Sequence, residues 1–269
     1  KGSWDKDPNN RVYKGLNGRP GRDWGHWTLD RNRPDWQEAM LRNWAQLGLN
    51  NTHLNIFPKN DSFELTEAFC SALEDYIRLS EKYGLKIGVR LDALDGYTAW
   101  PLHPNNPNNR LEEYIEWVKE IVRRLKGKTV YYILGDELTL YKPEAIRIET
   151  DPSPEDLMSG RVPEDYKKWT PEQYFEYFKT LSRTIKAIDP DAKVSMFAPS
   201  SGEWFNAIYL LEQGYADYGD ALAINHYNYH DVPRFFEDAK RLAPHLKFLS
   251  NGVGYVSNGA ITERYPEGD

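Results

Sequence analysis

The segment Val130-Tyr-Tyr-Ile-Leu-Gly-Asp-Glu137 joins five consecutive apolar or aromatic residues to a glycine and two adjacent acids. A short apolar run of this kind predicts a buried strand. Because burying an unpaired charge is costly, we expect Asp136 and Glu137 where this strand ends. Acids at the carboxyl end of a barrel strand are candidates for catalysis. The simpler interpretation is that Asp136 caps the next element and Glu137 is solvated.

Strand and helix patterns alternate along the whole chain. Strands are predicted at 12–17, 51–57, 85–91, 130–134, 193–197, 221–225 and 246–249, and helices at 34–47, 69–83, 110–125, 170–188, 202–211 and 232–242. This alternation predicts a parallel sheet wrapped by helices. We therefore expect an α/β fold, a (β/α)₈ TIM barrel, with no recognisable eighth strand in the sequence. An open doubly wound sheet is the alternative, but the segment 15–18 does not fit its G-x-G-x-x-G phosphate fingerprint.

Length and composition limit the domain count and the partners. The 269 residues fit a single catalytic barrel domain spanning 1–269, and truncation at the C-terminus would explain the absent strand. A net charge of −7 argues against nucleic acid as a partner. No apolar run approaches the roughly 18 residues that a membrane span requires. The segment 141–169, rich in proline and acids, is predicted to be a long irregular loop of functional importance.

Polar residues follow most of the predicted strands. In a parallel barrel the carboxyl ends of the strands open on one face, so these residues should converge on one pocket. The residues expected there are Asn55, Asp92, Asp95, Asp136, Glu137, Ser200, Ser201, His226, Tyr227, Asn251 and Gly252. Because the chain has no H-E-x-x-H or comparable ligand spacing, we expect neither a metal nor a cofactor.

This ordered set of strand ends resembles the clan A glycoside hydrolases, which are retaining enzymes on a (β/α)₈ barrel. The segment 135–137 resembles the acid/base motif after strand 4 of that clan, with Asp where the clan usually has Asn. The segment 224–227 (Ile-Asn-His-Tyr) resembles the end of strand 6, and 13–17 and 47–52 resemble the first strand and the first helix-to-strand joint. The resemblance covers about residues 12–255.

The resemblance implies a glycosidase acting on a β-linked oligosaccharide or polysaccharide. It makes Glu137 the general acid/base and Asp136 a hydrogen-bond partner of a ring hydroxyl. His226 and Tyr227 would position the sugar and the nucleophile. Retention requires a second carboxyl group about 5–5.5 Å from the first. A role in polysaccharide degradation would suggest a secreted or periplasmic protein, by analogy only.

The remaining candidate residues for substrate binding have alternative interpretations. Asn55, nearer the end of its strand, is expected to face the pocket, with His53 pointing the other way. Asp92 either contacts substrate or pairs with Arg90 or another arginine. Trp204 is either a sugar platform or the packing face of a short helix. His226 is either a pocket residue or a buried core histidine.

The clan's nucleophile is a Glu near the end of strand 7, followed by an apolar residue and Gly. The segment 248–255 has this frame, but Gly252 occupies the Glu position, and a shift of one residue would place Asn251 there. Neither residue can form a glycosyl ester. We therefore expect an inactive or glycosynthase-type variant, through an engineered Glu→Gly change or natural loss. The alternative is a non-catalytic carbohydrate-binding barrel descended from a glycosidase.

Overall fold

The computed structural model describes residues 4–6, 12–13, 15–17, 34–56, 58, 63–91, 99–136, 138, 140–142, 144, 146, 152–159, 161–199, 204–226 and 232–253. Only the backbone is described at 4–6, 12–13, 15–17, 34–36, 99, 136, 226, 232 and 250–253.

The strands form one large parallel sheet and one short ribbon. In chain order they are β1 (Trp4–Lys6), β2 (Val12–Tyr13), β3 (Gly15–Asn17), β4 (Asn51–Ile56), β5 (Lys86–Leu91), β6 (Thr129–Asp136), β7 (Lys193–Ala198), β8 (Ala221–His226) and β9 (Lys247–Val253). Within the described ranges, β3 to β9 pair in sequential order and every pair is parallel. β1 and β2 pair antiparallel, and β1 lies beside β9.

Helices connect the successive strands of the sheet. They are α1 (Pro34–Gln46), α2 (Glu67–Lys82), α3 (Ala99–Leu102), α4 (Leu111–Leu125), α5 (Pro154–Ser159), α6 (Pro171–Ile188), α7 (Trp204–Glu212) and α8 (Val232–Leu242). The predicted (β/α) barrel is confirmed, and the described residues contain seven of its parallel strands. None of the described helices is long and apolar enough to cross a membrane.

Alternation along the strands builds two separate cores. Tyr132 and Leu134 of β6 belong to the larger one, the outer core between sheet and helices, whereas Tyr131 and Ile133 face the other side. The inner core consists of Tyr131, Ile133, Ala198, Ala221, Ala223 and Leu249. Three of these six residues are alanines.

Helix α6 begins where its sequence predicts. Thr170 Oγ1 accepts a hydrogen bond from Gln173 N at 3.3 Å, and Gln173 Oε1 accepts one from Thr170 N at 3.0 Å. This capping box, with Pro171 at the first helical position, satisfies two amides that a helix end would otherwise leave free.

The segment 141–169 is less irregular than expected. It contains α5 and a 3₁₀ turn at Glu164–Lys167. Ser153 Oγ accepts a hydrogen bond from Asp156 N at 3.1 Å, which starts α5 as an N-cap does. The short helix α3 was also not predicted, and β6 extends two residues past Leu134 to Asp136.

Candidate functional site

The carboxyl ends of the parallel strands lie along one edge of the sheet, here named the carboxyl face. The described strands β4 to β9 end there at Ile56, Leu91, Asp136, Ala198, His226 and Val253. This edge is where the sequence places the candidate pocket.

A buried tyrosine interrupts the sheet where β6 and β7 approach the carboxyl face. The Tyr174 hydroxyl, from α6, donates to Leu134 O at 2.9 Å and accepts from Phe197 N at 2.7 Å. Burial holds the pKa of Tyr174 well above its ordinary value, so the hydroxyl keeps the proton that it donates. The phenol therefore stands between two strands where backbone groups would otherwise pair.

The interruption changes which side of β7 faces inward. Met196 and Phe197 are consecutive, yet both belong to the outer core, and the next residue, Ala198, belongs to the inner core. On β6, Gly135 has φ of 108°, a conformation that favours glycine. Position 136 is in register with Ala198. The broken alternation thus places Asp136 opposite a residue of the inner core.

A second buried tyrosine spans β7 and β8. The Tyr215 hydroxyl donates to Ala221 O at 2.6 Å and accepts from Met196 N at 2.7 Å. Gly219 provides its space, because a Cβ there would lie 2.3 Å from the Tyr215 ring. Ser195 Oγ accepts a hydrogen bond from Ala223 N at 2.8 Å. Side chains thus replace part of the ladder between these strands.

A bulge shifts the register between β8 and β9. Ile224 pairs with Ser250, but Asn225 pairs with Gly252, so Asn251 is an additional residue on β9. Asn225 follows Ala221 and Ala223 at two-residue steps, so it lies on the inner side. Position 252 is therefore in register with Asn225 on the inner side, and position 251 is the bulged residue between two register pairs. Bulges are common beside active sites because they change the direction of neighbouring residues.

The inner side of β4 is polar. His53 Nδ1 lies 3.1 Å from the hydroxyl of Tyr131, an inner-core residue. The expectation that His53 and Asn55 point in opposite directions was wrong, because residues two apart in a strand share a face. Asn55 lies two residues nearer the carboxyl face than His53. It is in register with Arg90, a residue that is 1% exposed. Among the described residues none bonds the buried Oδ1 of Asn55.

The structure favours packing as the role of Trp204. The residue is 7% exposed, and its ring lies 5.0 Å from that of Phe235 on α8, at an interplanar angle of 31°. Its neighbour Phe205 is 57% exposed. Because α7 follows the carboxyl end of β7, Phe205 lies on the carboxyl face.

Several candidate residues cannot be placed by their side chains. Glu137, Asp92 and Tyr227 lie outside the described residues, as do Asp95, Ser200 and Ser201. Asp136, His226 and Gly252 are placed by their backbone alone. His226 is the last residue of β8 and is in register with Val253.

Two segments that follow neighbouring strands are tied together at the carboxyl face. His103, after β5, approaches Lys168 O with Nε2 at 3.1 Å and accepts from Asn105 N at Nδ1, also at 3.1 Å. The Asn105 side chain donates to Tyr166 O at 3.3 Å. The ring of Trp100 stacks on that of His103 at 5.5 Å. These contacts between residues 100–105 and 166–168, here named the wall, were not predicted, although the run 103–109 (His-Pro-Asn-Asn-Pro-Asn-Asn) is a turn-forming signal.

Burial determines the ionisation of His103. Desolvation lowers its pKa, and the hydrogen bond with the Lys168 carbonyl opposes this less strongly. Because Nδ1 accepts from an amide, Nε2 carries the proton of the neutral ring. The neutral form is thus the one that joins the two segments.

Several solved structures with the same fold are glycoside hydrolases. An exo-β-1,4-mannosidase from Opitutaceae bacterium strain TAV5 aligns with a TM-score of 0.64 and 16% identity, over 97% of this chain and 49% of its own. The β-1,4-mannanase from the common sea hare Aplysia kurodai gives 0.56 and 18%, over 82% and 73%. A GH5_18 protein from Streptomyces cattleya, in complex with Manβ1-4GlcNAc, gives 0.52 and 15%, over 74% and 48%.

At these identities the similarity shows the fold. The chain spans about half the length of the Opitutaceae and Streptomyces structures. No protein-family model and no curated protein sequence matches it. The parallel α/β barrel is therefore shared with β-mannanases and other glycoside hydrolases.

Proposed function

We propose that this chain is the catalytic barrel of a retaining glycoside hydrolase that acts on a β-linked glycan. The supporting observation is the register at the carboxyl face. β6 and β9 are the fourth and seventh strands of the parallel sheet, where the resemblance places the two catalytic carboxyl groups. Position 136 is in register with Ala198 of the inner core. Position 252 is in register with Asn225, which lies on the same inner side.

Glu137 is proposed as the general acid and base. It directly follows Asp136, the last residue of β6, so it is attached to the rigid sheet. In hydrolysis its carboxyl group would protonate the leaving glycosidic oxygen and later take a proton from water. Asp136 would accept a hydrogen bond from a ring hydroxyl. His226, at the end of β8, and Tyr227 would hold the sugar beside position 252.

Gly252 is proposed to stand where the nucleophile is required. Glycine has no group that can attack the anomeric carbon, so the chain is proposed to be nucleophile-deficient. A glycosyl fluoride of the opposite anomeric configuration would occupy the space instead. Its C–F bond would break as an acceptor hydroxyl bonds to the anomeric carbon. Fluoride would leave, and the hydroxyl proton would pass to Glu137.

A β-1,4-linked mannan is the first substrate to test. Two of the aligned structures carry names that specify β-1,4-mannosidase or mannanase activity, and a third holds Manβ1-4GlcNAc. Asn55 and Asp92 remain candidates for contacts with sugar hydroxyls. Phe205 replaces Trp204 as the proposed platform, because an exposed aromatic face can stack on a sugar ring and a buried one cannot.

The second candidate function is non-catalytic glycan binding. It is favoured by the absence of a carboxyl group at position 252. It predicts binding of a glycan without any activity when a carboxylate is introduced there.

The test is hydrolysis of aryl β-mannosides and β-mannan by Gly252→Glu, with Asn251→Glu as matched control. Both variants add one carboxylate to the same strand, but only position 252 is in register with Asn225, whereas position 251 is the bulged residue. We expect activity from Gly252→Glu and none from the parent or the control. Folded but inert variants would support the binding function. Activity from Asn251→Glu alone would show that position 251, and not 252, is the site of the nucleophile.

A further inference from the structure

A cleft of about 520 Å³ opens at the amino ends of β7 to β9, opposite the carboxyl face. Residues from the end of α6, the turn before β8 and the first residues of β7 and β9 line it. In barrels of this fold this face normally serves stability and not catalysis. The cleft is therefore separate from the proposed glycan site.

The lining of this cleft is cationic in an acidic protein. It contains four cationic side chains, Arg183, Lys186, Lys193 and Lys247. Two carboxylates, Asp217 and Asp220, also line it, which leaves a formal excess of two positive charges. The whole chain carries −7.

One cation and one carboxylate form a structural pair. Lys186 Nζ lies 2.6 Å from Asp220 Oδ2 and donates to Ala192 O at 2.7 Å. The same carboxylate oxygen accepts from Val194 N at 2.9 Å. Lys186 and Asp220 thus join α6 to the starts of β7 and β8.

Two lysines remain without such a pair. Ser195 is in register with Ala221, and Ala221 with Lys247. Lys193 precedes Ser195 by two residues, so both lysines lie on the inner side, on strands separated only by β8. Two strand spacings and an offset of two residues along the strands set their backbones roughly 12 Å apart. In the described part of the chain neither ammonium group has a hydrogen-bond or ion-pair partner.

The remaining cation, Arg183, is held in place by an aromatic ring. The Arg183 guanidinium lies 5.0 Å from the Tyr218 ring centre and donates to the Tyr218 hydroxyl at 3.3 Å. One N–H is used in this contact, and the other donors of the guanidinium remain for a ligand. Arg183 is therefore oriented before an anion arrives.

We propose that this cleft binds a small dianionic oxyanion of the phosphate or sulfate class. Lys193, Lys247 and Arg183 would supply its charge-assisted hydrogen bonds, and Asp217 would limit binding to anions that satisfy several donors at once. Binding would relieve the repulsion between like charges at the strand starts and stabilise the folded chain. The proposal does not depend on the glycosidase function.

Isothermal titration calorimetry of the full chain with sodium phosphate and, separately, sodium sulfate tests this site, at an ionic strength held constant with sodium chloride. We expect saturable binding of at least one anion at one site per chain. Lys193→Gln/Lys247→Gln should weaken it at least about tenfold, because two charged donors are lost. The matched control, Lys119→Gln/Lys142→Gln, makes the same change in net charge on other surfaces and should bind like the parent.

The melting temperature gives an independent readout. The bound anion should raise it in the parent and the control but not in Lys193→Gln/Lys247→Gln. Absence of saturable binding of both anions would overturn the proposal. Equal weakening in both double variants would also overturn it, because net charge alone would then explain the effect. Circular dichroism verifies that each variant is folded.

Discussion

At the scale of single residues, buried phenols determine how the sheet reaches the carboxyl face. Tyr174 bonds Leu134 O and Phe197 N, and Tyr215 bonds Ala221 O and Met196 N. Each hydroxyl satisfies two backbone groups of neighbouring strands. Because such groups are costly to bury unpaired, the tyrosines are part of the sheet and not only of the outer core.

The first prediction concerns Tyr174→Phe. The variant keeps the ring but leaves two buried backbone groups unsatisfied, so it should lower the free energy of unfolding by about 1–3 kcal/mol. Tyr209→Phe is the control, since its hydroxyl bonds the exposed Glu172 and its loss should cost less than about 1 kcal/mol. Urea denaturation measures both. Equal losses would contradict a role of the Tyr174 hydroxyl in the sheet.

A second residue-scale prediction concerns Gly88→Ala. A Cβ at this position would lie 2.0 Å from the Tyr131 ring, so the ring must move. Overpacking of this kind costs about 1–3 kcal/mol or more. Adding Tyr131→Leu should recover part of the stability lost by Gly88→Ala, measured as the midpoint of urea unfolding. Additive losses in the double variant would show that the two residues do not compete for space.

At the scale of elements, the strands and helices follow from local sequence, but their interruptions do not. Short, mostly apolar runs predict β4 to β9 to within a few residues. The bulge at Asn251 depends on pairing with Asn225, and the inversion at Phe197 depends on Tyr174, which lies 23 residues away in the chain. Such distant contacts leave no periodic signal in either segment.

For two features that were not predicted correctly, the start of α5 and the face of His53, the local sequence contains a signal. Ser153 and Asp156 have the spacing of an N-cap pair, which marks the start of α5. Because His53 and Asn55 are two residues apart in β4, their side chains must lie on the same face of the sheet. For the candidate site, the sequence gives the strand ends, but the choice between positions 251 and 252 requires the register of β8 and β9.

The wall that His103 forms between two segments should be sensitive to pH. The folded-state pKa of His103 lies below its ordinary value of 6.5, because burial disfavours the charged ring. The unfolded chain thus binds the proton more readily. The stabilising contribution is complete above pH 6.5 and is lost as pH falls through 6.5 towards the lower folded-state value.

The variant His103→Gln tests this contribution. Urea denaturation between pH 8 and pH 5 should show that the parent loses more stability on acidification than this variant does. His245→Gln, which removes an exposed histidine, is the control and should behave like the parent. Identical pH profiles for the parent and His103→Gln would contradict the assignment.

At the scale of the whole molecule, the two faces of the barrel have different chemistry. The carboxyl face has the proposed catalytic positions, an exposed Phe205 and a wall of bonded segments. The amino face has a cationic cleft. The same sheet thus separates the proposed glycan site from the proposed anion site.

Phe205→Ala tests the proposed platform. It should weaken binding of a mannooligosaccharide about tenfold if the ring stacks on a sugar, as for a residue that anchors an interface. Leu47→Ala, at the end of α1 and 72% exposed, removes a similar exposed apolar group away from the carboxyl face and should leave affinity unchanged. Calorimetric titration compares the two. An unchanged affinity in Phe205→Ala would remove this residue from the site.

Covalent trapping tests the central claim most directly. Gly252→Glu would be incubated with an activated 2-deoxy-2-fluoro-mannoside, digested, and analysed by mass spectrometry. We predict one fluoroglycosyl group on the peptide that contains position 252, and none on the parent or on Asn251→Glu. A folded Gly252→Glu variant that stays unlabelled, or carries the label elsewhere, would contradict the proposal that position 252 is the site of the nucleophile.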